Sequence, residues 1–287
     1  MNYRHAFHAG NFADVVKHAI LSRILVYLGR KAAPFRFVDT HAGAGRYDLT
    51  SAEAKRSPEW RDGIARVLAA TPPEPVAALL EPYLRAVGPR DANGVPVSYP
   101  GSPAIAQALM RAGDRIALCE AHPEERDKLV AALGHDSRLT IAGTDGYLAL
   151  NAYLPPKERR GLVLIDPAFE EPGEPAKVEQ ALARALRKWP SGVFVAWRPI
   201  REGTADAHFL NNVAALGVPD ILRIEIDVGA GPVGVHGQRP LSGAGLLVVN
   251  PPHTLLGEAK TLMPWLAGAM AREGRGGAVC TWLTPPM

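Results

Sequence analysis

The sequence is poor in cysteine: it has only two, Cys119 and Cys280, which stand far apart in apolar segments. This arrangement argues against a structural disulfide or a zinc site, so we expect a reducing compartment and no bound metal. Long apolar runs are also missing, and none approaches the roughly 20 residues that a membrane-spanning helix needs. The first residues are polar and contain no apolar signal-peptide core. We therefore expect a cytoplasmic protein that makes no membrane contact.

The chain also lacks a strong excess of either charge. It has 32 Lys and Arg residues against 29 Asp and Glu residues, a formal net charge of +3 at pH 7. A mildly basic balance is compatible with an anionic partner but does not require one. Hydrophobic residues make up 47% of the 287 positions, and no internal repeat or low-complexity tract is visible. These values predict a globular protein with one large α/β domain, or one domain that carries an insertion.

Another absence concerns the three-glycine fingerprint of dinucleotide-binding proteins. The segment Phe35-Arg-Phe-Val-Asp39-Thr-His-Ala-Gly43-Ala-Gly45 predicts a short strand that ends at Asp39 and a glycine-rich turn, but Asp48 stands where a third glycine is needed. Gly43 and Gly45 allow positive φ angles and a close approach of a ligand to the backbone. The shorter turn suits a cofactor without a pyrophosphate, such as S-adenosylmethionine. A generic strand-to-helix turn of any α/β protein is the alternative.

The segment Asp166-Pro167-Ala168-Phe169 carries the clearest indication of chemistry. It follows Gly161-Leu-Val-Leu-Ile165, an apolar run typical of a buried strand. A carboxylate and a proline carbonyl at a strand end can each accept one N–H of an exocyclic amino group on a flat base. An aromatic ring can stack on that base, which contributes about 1–3 kcal/mol. A strand followed by a proline-driven turn is the alternative explanation.

Apolar runs that alternate with helical segments predict an α/β fold with a mostly parallel sheet. We place strands at residues 35–39, 115–120, 139–141, 161–165, 192–197, 221–228, 245–249 and 278–283. Helices are predicted over 11–31 with Asn11 as N-cap, after Ser102 as N-cap, and over 123–133. Residues 52–95 contain helical stretches that Pro72-Pro73, Pro75 and Pro82 interrupt. We interpret them as a helical subdomain, inserted after the first strand of a single domain of residues 1–287.

Four acidic residues end predicted strands or follow them closely: Asp39, Glu120, Asp145 and Asp166. Because the carboxyl ends of parallel strands meet at one edge of a sheet, we expect these side chains to line one rim. Glu120 is placed like the acidic residue that binds ribose hydroxyls in nucleoside-binding α/β folds. Asp145 and Gly146 are candidates for an adenine edge. For any one of these acids alone, a helix N-cap or loop carboxylate is the simpler explanation.

Several long and unusual segments make the chain similar to the bacterial 23S rRNA adenine-N6 methyltransferase family over essentially its whole length. They begin with the N-terminal block Tyr3-Arg-His-Ala-Phe-His8 and cover residues 3–18, 39–47, 99–103, 120–123, 145–146, 159–167, 249–252 and 262–266. The resemblance implies a Rossmann-like, S-adenosylmethionine-dependent methyltransferase fold with a helical insertion.

The resemblance also implies roles for individual residues. It assigns cofactor contacts to several of them, and with the rim and glycine-turn residues the expected cofactor site is Lys17, His18, Asp39, His41, Gly43, Ser102, Glu120, Asp145, Gly146 and Asp166. Asp166 would be the catalytic residue, with Pro167 and Phe169 beside it. Tyr3, Arg4 and Phe169 would contact the target nucleotide. From the residues alone, His18 would be a histidine on a helix face and not a metal ligand.

The chain departs from the family pattern at two places. The family has Asp-Pro-Pro-Tyr where this chain has Asp166-Pro167-Ala168-Phe169, so the two acceptors and an aromatic face are kept while a hydroxyl and a second proline are lost. Trp197-Arg198-Pro199 stands where the family tends to have Trp-Tyr-Pro. The loss of the second proline is expected to loosen the loop.

The implied reaction is direct transfer of a methyl group from S-adenosylmethionine to N6 of an adenine in 23S rRNA. The base must be flipped out or single-stranded, because pairing hides its amino edge. We expect protein-free or early-assembly rRNA as the substrate and a monomeric enzyme. Candidate phosphate contacts are the basic residues Arg4, Arg46, Lys55, Arg56, Arg61, Arg159, Arg160, Arg198, Arg201 and Arg239. Residues 229–245 are either a mobile loop that faces the target or a long hairpin connection.

Two other classes of function remain open from the sequence. One is a different methyltransferase that acts on DNA adenine or on a small-molecule amine. The near-neutral charge and the lack of a separate target-recognition domain argue against long duplex DNA. The other is a non-catalytic nucleic-acid-binding protein that has kept the fold.

Overall fold

A computed structural model of the chain describes residues 4–92, 94–200, 204–231 and 241–286. Within them, ten strands form two sheets. They are β1 (Arg36–Asp39), β2 (Arg46–Asp48), β3 (Ser98–Pro100), β4 (Arg115–Cys119), β5 (Leu139–Ala142), β6 (Gly161–Ile165), β7 (Val193–Ile200), β8 (Ile221–Asp227), β9 (Gly243–Val249) and β10 (Gly277–Thr284). Each of the eight predicted strands is therefore confirmed, with ends that differ by at most three residues.

The main sheet has eight strands in the order β10-β8-β9-β7-β6-β1-β4-β5. The ladders from β5 through β4, β1 and β6 to β7 are all parallel, whereas β9 pairs antiparallel with both β7 and β8, and β10 pairs antiparallel with β8. The predicted mostly parallel sheet is thus confirmed. Strand order reverses at β1, and ligands of open α/β sheets bind beside the carboxyl ends of the strands at such a switch point.

Ten α-helices connect the strands among the described residues. They are α1 (Phe12–Gly29), α2 (Ala52–Arg56), α3 (Ile64–Ala69), α4 (Glu74–Val87), α5 (Ser102–Leu109), α6 (Pro123–Leu133), α7 (Gly146–Tyr153), α8 (Glu174–Lys188), α9 (Thr204–Ala214) and α10 (Leu255–Met270). Asn11 caps α1, as predicted, since its side chain accepts a hydrogen bond from the backbone N–H of Asp14. In the described part of the chain, no helix has the length and apolar character required to cross a membrane.

Side chains of alternate strand residues pack into two hydrophobic cores, one on each face of the sheet. Leu162 and Leu164 of β6 belong to the core that contains α1, α4, α5 and α10, whereas Val163 and Ile165 belong to the core that contains α7, α8 and α9. All five residues of β6 are buried, as expected for a central parallel strand that helices cover on both faces. The sheet therefore holds the loops after its carboxyl ends rigidly.

The region between β1 and β4 is helical, with one short two-stranded sheet that the sequence does not predict. Strands β2 and β3 pair antiparallel and enclose α2, α3 and α4, and α4 packs against α1, α5 and α10. The expectation that Pro82 interrupts a helix is wrong, because Pro82 lies inside α4. Burial of Val76, Leu80 and Tyr83 on one face of α4 holds the helix together across the missing hydrogen bond. A separate subdomain over 52–95 stays a prediction.

Two further expectations concern the start of α5 and the connection between β8 and β9. The helix α5 begins at Ser102 with Gly101 as its N-cap, so the prediction of Ser102 as N-cap is wrong. The hydroxyl of Ser102 donates instead to Asp39. The segment predicted over 229–245 lies largely between β8 and β9, which pair antiparallel, and its description as a mobile loop or a hairpin connection stays a prediction. Residues 232–240 within it, including His236 and Arg239, lie outside the described residues.

Candidate active site

A cavity of about 580 Å³ opens at the carboxyl ends of the parallel strands. Its size lies in the range of small-molecule and cofactor sites. Its wall includes residues from α1 and from the loops after β1, β4, β5 and β6, and most of the expected site residues belong to it: Lys17, His18, His41, Gly43, Ser102, Glu120, Asp145, Gly146, Asp166, Pro167 and Phe169. Side chains that are far apart in the sequence thus meet at the edge where the parallel sheet predicts a ligand.

A buried lysine connects α1 with the end of β6. The Nζ of Lys17 lies 2.5 Å from Oδ2 of Asp166 and 2.8 Å from Oδ1 of Asp14. Lys17 is only 5% exposed, and burial alone would lower its pKa, but the two carboxylates raise it. Lys17 is therefore a fixed cation that orients Asp166. Among the described residues, Oδ1 of Asp166 has no hydrogen-bond partner, so its lone pairs are available to a ligand.

Asp14 is the second anchor of this lysine. Its carboxylate is 2% exposed, and Oδ2 accepts hydrogen bonds from the backbone N–H of Gly10 at 2.9 Å and pairs with Nε2 of His5 at 2.8 Å. Burial would raise the pKa of Asp14, yet the charges of His5 and Lys17 hold it well below its usual value. The carboxylate thus joins the N-terminal segment to the Lys17–Asp166 pair.

His18 lies one residue further along α1, and it is neutral. Burial lowers the pKa of His18 to about 3. Its Nδ1 is 2.9 Å from the hydroxyl of Tyr99, which is 2.8 Å from the hydroxyl of Tyr83. This buried chain of polar groups fixes the imidazole against the cavity wall, so His18 contributes shape and a neutral polar edge instead of a charge.

His41 follows β1 and is also held by a hydroxyl. Its Nδ1 is 2.7 Å from Oγ1 of Thr40, and that hydroxyl donates its one hydrogen to the carbonyl of Leu164. The Nδ1 of His41 must then be the donor, and a neutral ring carries its lone pair on Nε2. Burial lowers the pKa of His41, which favours the neutral form. The ring of Tyr147 packs edge-on at 5.1 Å.

The glycine turn is built around Glu120. One carboxylate oxygen accepts from the backbone N–H of Gly43 at 2.8 Å, and the other accepts from the backbone N–H of His122 at 2.7 Å. Gly43 and Gly45 have φ angles of 60° and 74°, as the sequence predicts. The two backbone donors fix the carboxylate of Glu120 at the end of β4, where it can accept further hydrogen bonds from hydroxyl groups.

Asp145 and Gly146 form the start of α7. Asp145 is the N-cap, and its Oδ1 accepts from the backbone N–H of Leu148 at 3.0 Å. A Cβ on Gly146 would lie 1.9 Å from the carbonyl oxygen of Thr40. Only glycine therefore allows α7 to approach the loop after β1 so closely, and this approach closes one side of the cavity.

Asp39 is expected in the cofactor site, but it is not among the residues that line the cavity. It is fully buried, and its carboxylate accepts from the hydroxyl of Ser102 at 2.6 Å and from the backbone N–H of His41 at 3.1 Å. Burial raises the pKa of Asp39 to about 7, and the charge of Asp166 adds to this effect against the two hydrogen bonds. Asp39 therefore supports Ser102 and His41 from behind.

This raised pKa makes the stability of the fold depend on pH. The usual value is 3.8, so the folded chain retains a proton on Asp39 that the unfolded chain loses, and stability falls as pH rises from about 4 to about 7. Replacing Asp39 with asparagine removes this loss. We expect the free energy of unfolding of the wild type to fall relative to that of Asp39→Asn by about 2–4 kcal/mol over this range, measured by urea unfolding. A difference that does not change with pH would contradict the assignment.

The loop after β6 has an unusual backbone. Phe169 has a φ of 53°, a left-handed conformation that is costly for a bulky residue and that clusters at functional sites. Its ring packs edge-on against Trp197 at a centroid distance of 5.4 Å. Phe169 and Trp197 line the cavity together with Asp166 and Pro167. An aromatic wall thus stands next to the two predicted acceptors.

Three of the basic residues that are expected to contact RNA phosphates do not lie at the cavity. Arg198 is buried, where it pairs with Asp206 and Glu225, so its assignment as a phosphate contact is wrong. Gly245 lies between Arg198 and Glu225 in the sheet register, and its missing side chain leaves room for this pair. Arg159 and Arg160 precede β6 and lie at the edge of the sheet opposite the cavity, so their expected contact with RNA phosphates stays a prediction and would occur away from the cavity.

The target contacts expected at the N-terminus stay predictions. Tyr3 lies outside the described residues, as does Arg201. Arg4 is exposed, lies 3.4 Å from Glu124 and is not part of the cavity wall.

The sequence does not predict the structural roles of His5, Asp14 and Trp197. His5 and Asp14 stand in the N-terminal block that carries the resemblance, but no local pattern indicates that they pair. Among the described residues, no group of three or more His, Cys, Asp or Glu side chains has a metal-binding arrangement.

The chain is similar to known ribosomal RNA methyltransferases over nearly its whole length. Residues 32–284 match the family described as "Ribosomal RNA large subunit methyltransferase D, RlmJ". The chain is 36% identical to "Ribosomal RNA large subunit methyltransferase J" of Escherichia coli over 285 residues, which is 99% of each chain. It is 36% identical to the Haemophilus influenzae protein of the same name over 287 residues, again 99% of each.

A solved structure shows the same fold. A crystal structure of a Legionella pneumophila protein superposes with a TM-score of 0.84 at 32% identity, and it covers 96% of this chain and 98% of its own. The expected Rossmann-like methyltransferase fold and the expected enzyme class are confirmed by these matches. The full-length identity and the family match together lead to one conclusion: the chain belongs to the RlmJ family of large-subunit ribosomal RNA methyltransferases.

Proposed function

We propose that this enzyme transfers a methyl group from S-adenosylmethionine to N6 of an adenine in large-subunit rRNA. The observation that carries the proposal is the position of Asp166 and Pro167 on the cavity wall at the end of β6, beside the rings of Phe169 and Trp197. This arrangement offers two oxygen acceptors and an aromatic surface to one flat base that carries an amino group.

The residues around the cavity fit the cofactor chemically. The wall contains six carboxylates against two cations, and such a balance favours a ligand with a sulfonium and an ammonium group. The Nδ1 of His122 is buried in this wall without a partner among the described residues, so it can accept or donate a further hydrogen bond. Glu120 would bind ribose hydroxyls, and Asp145 would bind the adenine amino group. Lys17, His18, His41 and Ser102 would complete the site.

When bound, S-adenosylmethionine supplies an electrophilic methyl group. The chain positions the acceptor nitrogen: Oδ1 of Asp166 and the carbonyl of Pro167 each accept one N–H of the target amino group. These two hydrogen bonds favour a more tetrahedral nitrogen and make its lone pair available for attack, so positioning and preorganised acceptors supply much of the acceleration. Lys17 keeps the Asp166 side chain in place through Oδ2.

The target base must leave its stack to reach this cavity, as for other enzymes that modify a base. The faces of Phe169 and Trp197 would replace part of the lost stacking, at roughly 1–3 kcal/mol per base. We propose rRNA that is free of protein or in early assembly as the substrate, in the bacterial cytoplasm, and a monomeric enzyme.

Two measurements test the proposal in sequence. Calorimetry at millimolar S-adenosylmethionine is expected to show binding, and absence of both heat and a thermal shift would contradict the enzyme assignment. Transfer of a labelled methyl group is then compared for protein-free 23S rRNA, assembled large subunits and duplex DNA. We expect the free rRNA to be the best substrate. Faster transfer to duplex DNA would favour a DNA methyltransferase instead.

A further inference from the structure

Positive charge is concentrated at the edge of the sheet that lies opposite the cavity. Five segments precede the parallel strands at this edge: 30–36, 110–115, 134–138, 154–160 and 187–192. Together they contain eleven Lys and Arg against three Asp and Glu. The rest of the chain contains 21 Lys and Arg against 26 Asp and Glu, because the totals are 32 and 29. We call these five segments the amino-edge basic face.

Each of the three acids of the amino-edge basic face forms an ion pair with one cation of the same face. Asp114 pairs with Arg111 at 2.9 Å, Asp136 with Arg138 at 2.6 Å, and Glu158 with Arg36 at 3.0 Å. In the part of the chain that the structure describes, the other eight cations of the face have no ion pair. Lys31, Lys157 and Arg159 are exposed.

The loops of the amino-edge basic face are fixed to one another. Arg111 donates to the carbonyls of Gly29, Lys31 and Ala33, and Arg160 donates to those of Leu28 and Ala33. The segments before β4, β1 and β6 therefore form one preorganised surface. A cluster of fixed cations on a rigid support suits a polyanion with regularly spaced charges.

The catalytic face has the opposite character. Six carboxylates and only two cations line the cavity, so the cavity wall itself offers few partners for RNA phosphates. Affinity for a polyanionic substrate must then come from cations elsewhere on the surface.

We propose that the amino-edge basic face binds backbone phosphates of large-subunit rRNA at a distance from the target adenine. This inference rests on the proposed function. The two edges are separated by the length of the strands, about 15–20 Å for five residues, so only an RNA longer than the target hairpin reaches both. The face increases affinity for long rRNA and has no part in the methyl transfer step.

The test uses the full-length enzyme with two RNAs: a 23S rRNA transcript and a short hairpin cut from it around the methylated adenine. The triple variant Lys31→Gln, Lys157→Gln, Arg159→Gln removes three unpaired cations of the face. Its binding to the transcript is expected to weaken roughly 10- to 100-fold at 0.1 M salt, and the slope of log K against log salt to become shallower by about 2–3. The kcat and KM for the hairpin are expected to stay within about twofold.

A matched triple variant controls for the loss of three positive charges. Arg90→Gln, Lys260→Gln, Arg275→Gln removes exposed cations outside the face that have no ion pair among the described residues, and it is expected to leave binding to the transcript within about threefold. Equal weakening by the two triple variants, or no weakening by the first, would overturn the proposal. If the wild type binds the transcript through the face but methylates neither RNA, the proposed function fails while the surface stands. If it methylates both and the first variant is unchanged, the surface fails while the function stands.

Discussion

Replacing Asp166 with alanine is expected to lower kcat by roughly 10²–10⁴ while cofactor binding is retained. The variant loses the acceptor that orients the target amino group and that is placed to take its proton. Lys17 keeps its other partner, since Asp14 lies 2.8 Å from its Nζ, so the fold is expected to persist. Single-turnover methyl transfer measures the loss, and calorimetry with S-adenosylmethionine measures the retained binding.

The neighbouring acid supplies the matched control for this variant. Glu170 is exposed in the same loop, and Glu170→Ala is expected to change kcat by less than about threefold. Undiminished transfer by Asp166→Ala would refute the role of Asp166. Loss of S-adenosylmethionine binding by Asp166→Ala would show that Asp166 acts by binding the cofactor and not by orienting the target amino group.

Replacing Lys17 with methionine is expected to produce the largest loss of stability. The change removes the lysine that pairs with the buried carboxylate of Asp14, and breaking a buried pair in this way costs about 3–5 kcal/mol. The folded chain holds the pKa of Asp14 well below 3.8, so this stabilisation is present above about pH 4 and is lost as the pH falls below it. The free energy of unfolding of Lys17→Met, measured with urea, is therefore expected to lie about 3–5 kcal/mol below that of the wild type at pH 7. This difference is expected to shrink as the pH falls below about 4.

An exposed ion pair gives the comparison for Lys17. Arg85 lies 3.1 Å from Glu81 on the surface of α4, with side-chain exposures of 67% and 56%. Exposed pairs contribute at most about 1 kcal/mol, so Arg85→Met is expected to have little effect at either pH. A loss in Lys17→Met no greater than that of Arg85→Met would show that Lys17 is not the central cation of the site.

Much of the fold follows from local patterns. The apolar run of β6 and the carboxylate directly after it predict both the strand and the place of Asp166, since side chains after parallel strands must meet at one edge. Glu120 and Asp145 reach the cavity for the same reason. The two short strands β2 and β3 were not predicted, because three residues carry too little pattern to distinguish a strand from a loop.

The contacts inside the site depend on distant pairings that no local pattern contains. Lys17 meets Asp166 across 149 positions, and this meeting requires α1 to cross the end of β6. Arginine is usually a surface residue, but Arg198 is buried. It pairs with Glu225 across a glycine on the strand between them. His18 and His41 received roles from the resemblance alone. Their neutral state follows from burial, which the sequence does not give.

Mass-spectrometric mapping of large-subunit rRNA from cells with and without this protein tests the proposed methyl transfer. We expect one adenine to carry an N6-methyl group only when the protein is present. We also expect wild-type protein, but not Asp166→Ala, to restore the methyl group in the deficient cells. Identical methylation in both cell types, or restoration of the methyl group by Asp166→Ala, would contradict the proposed methyl transfer.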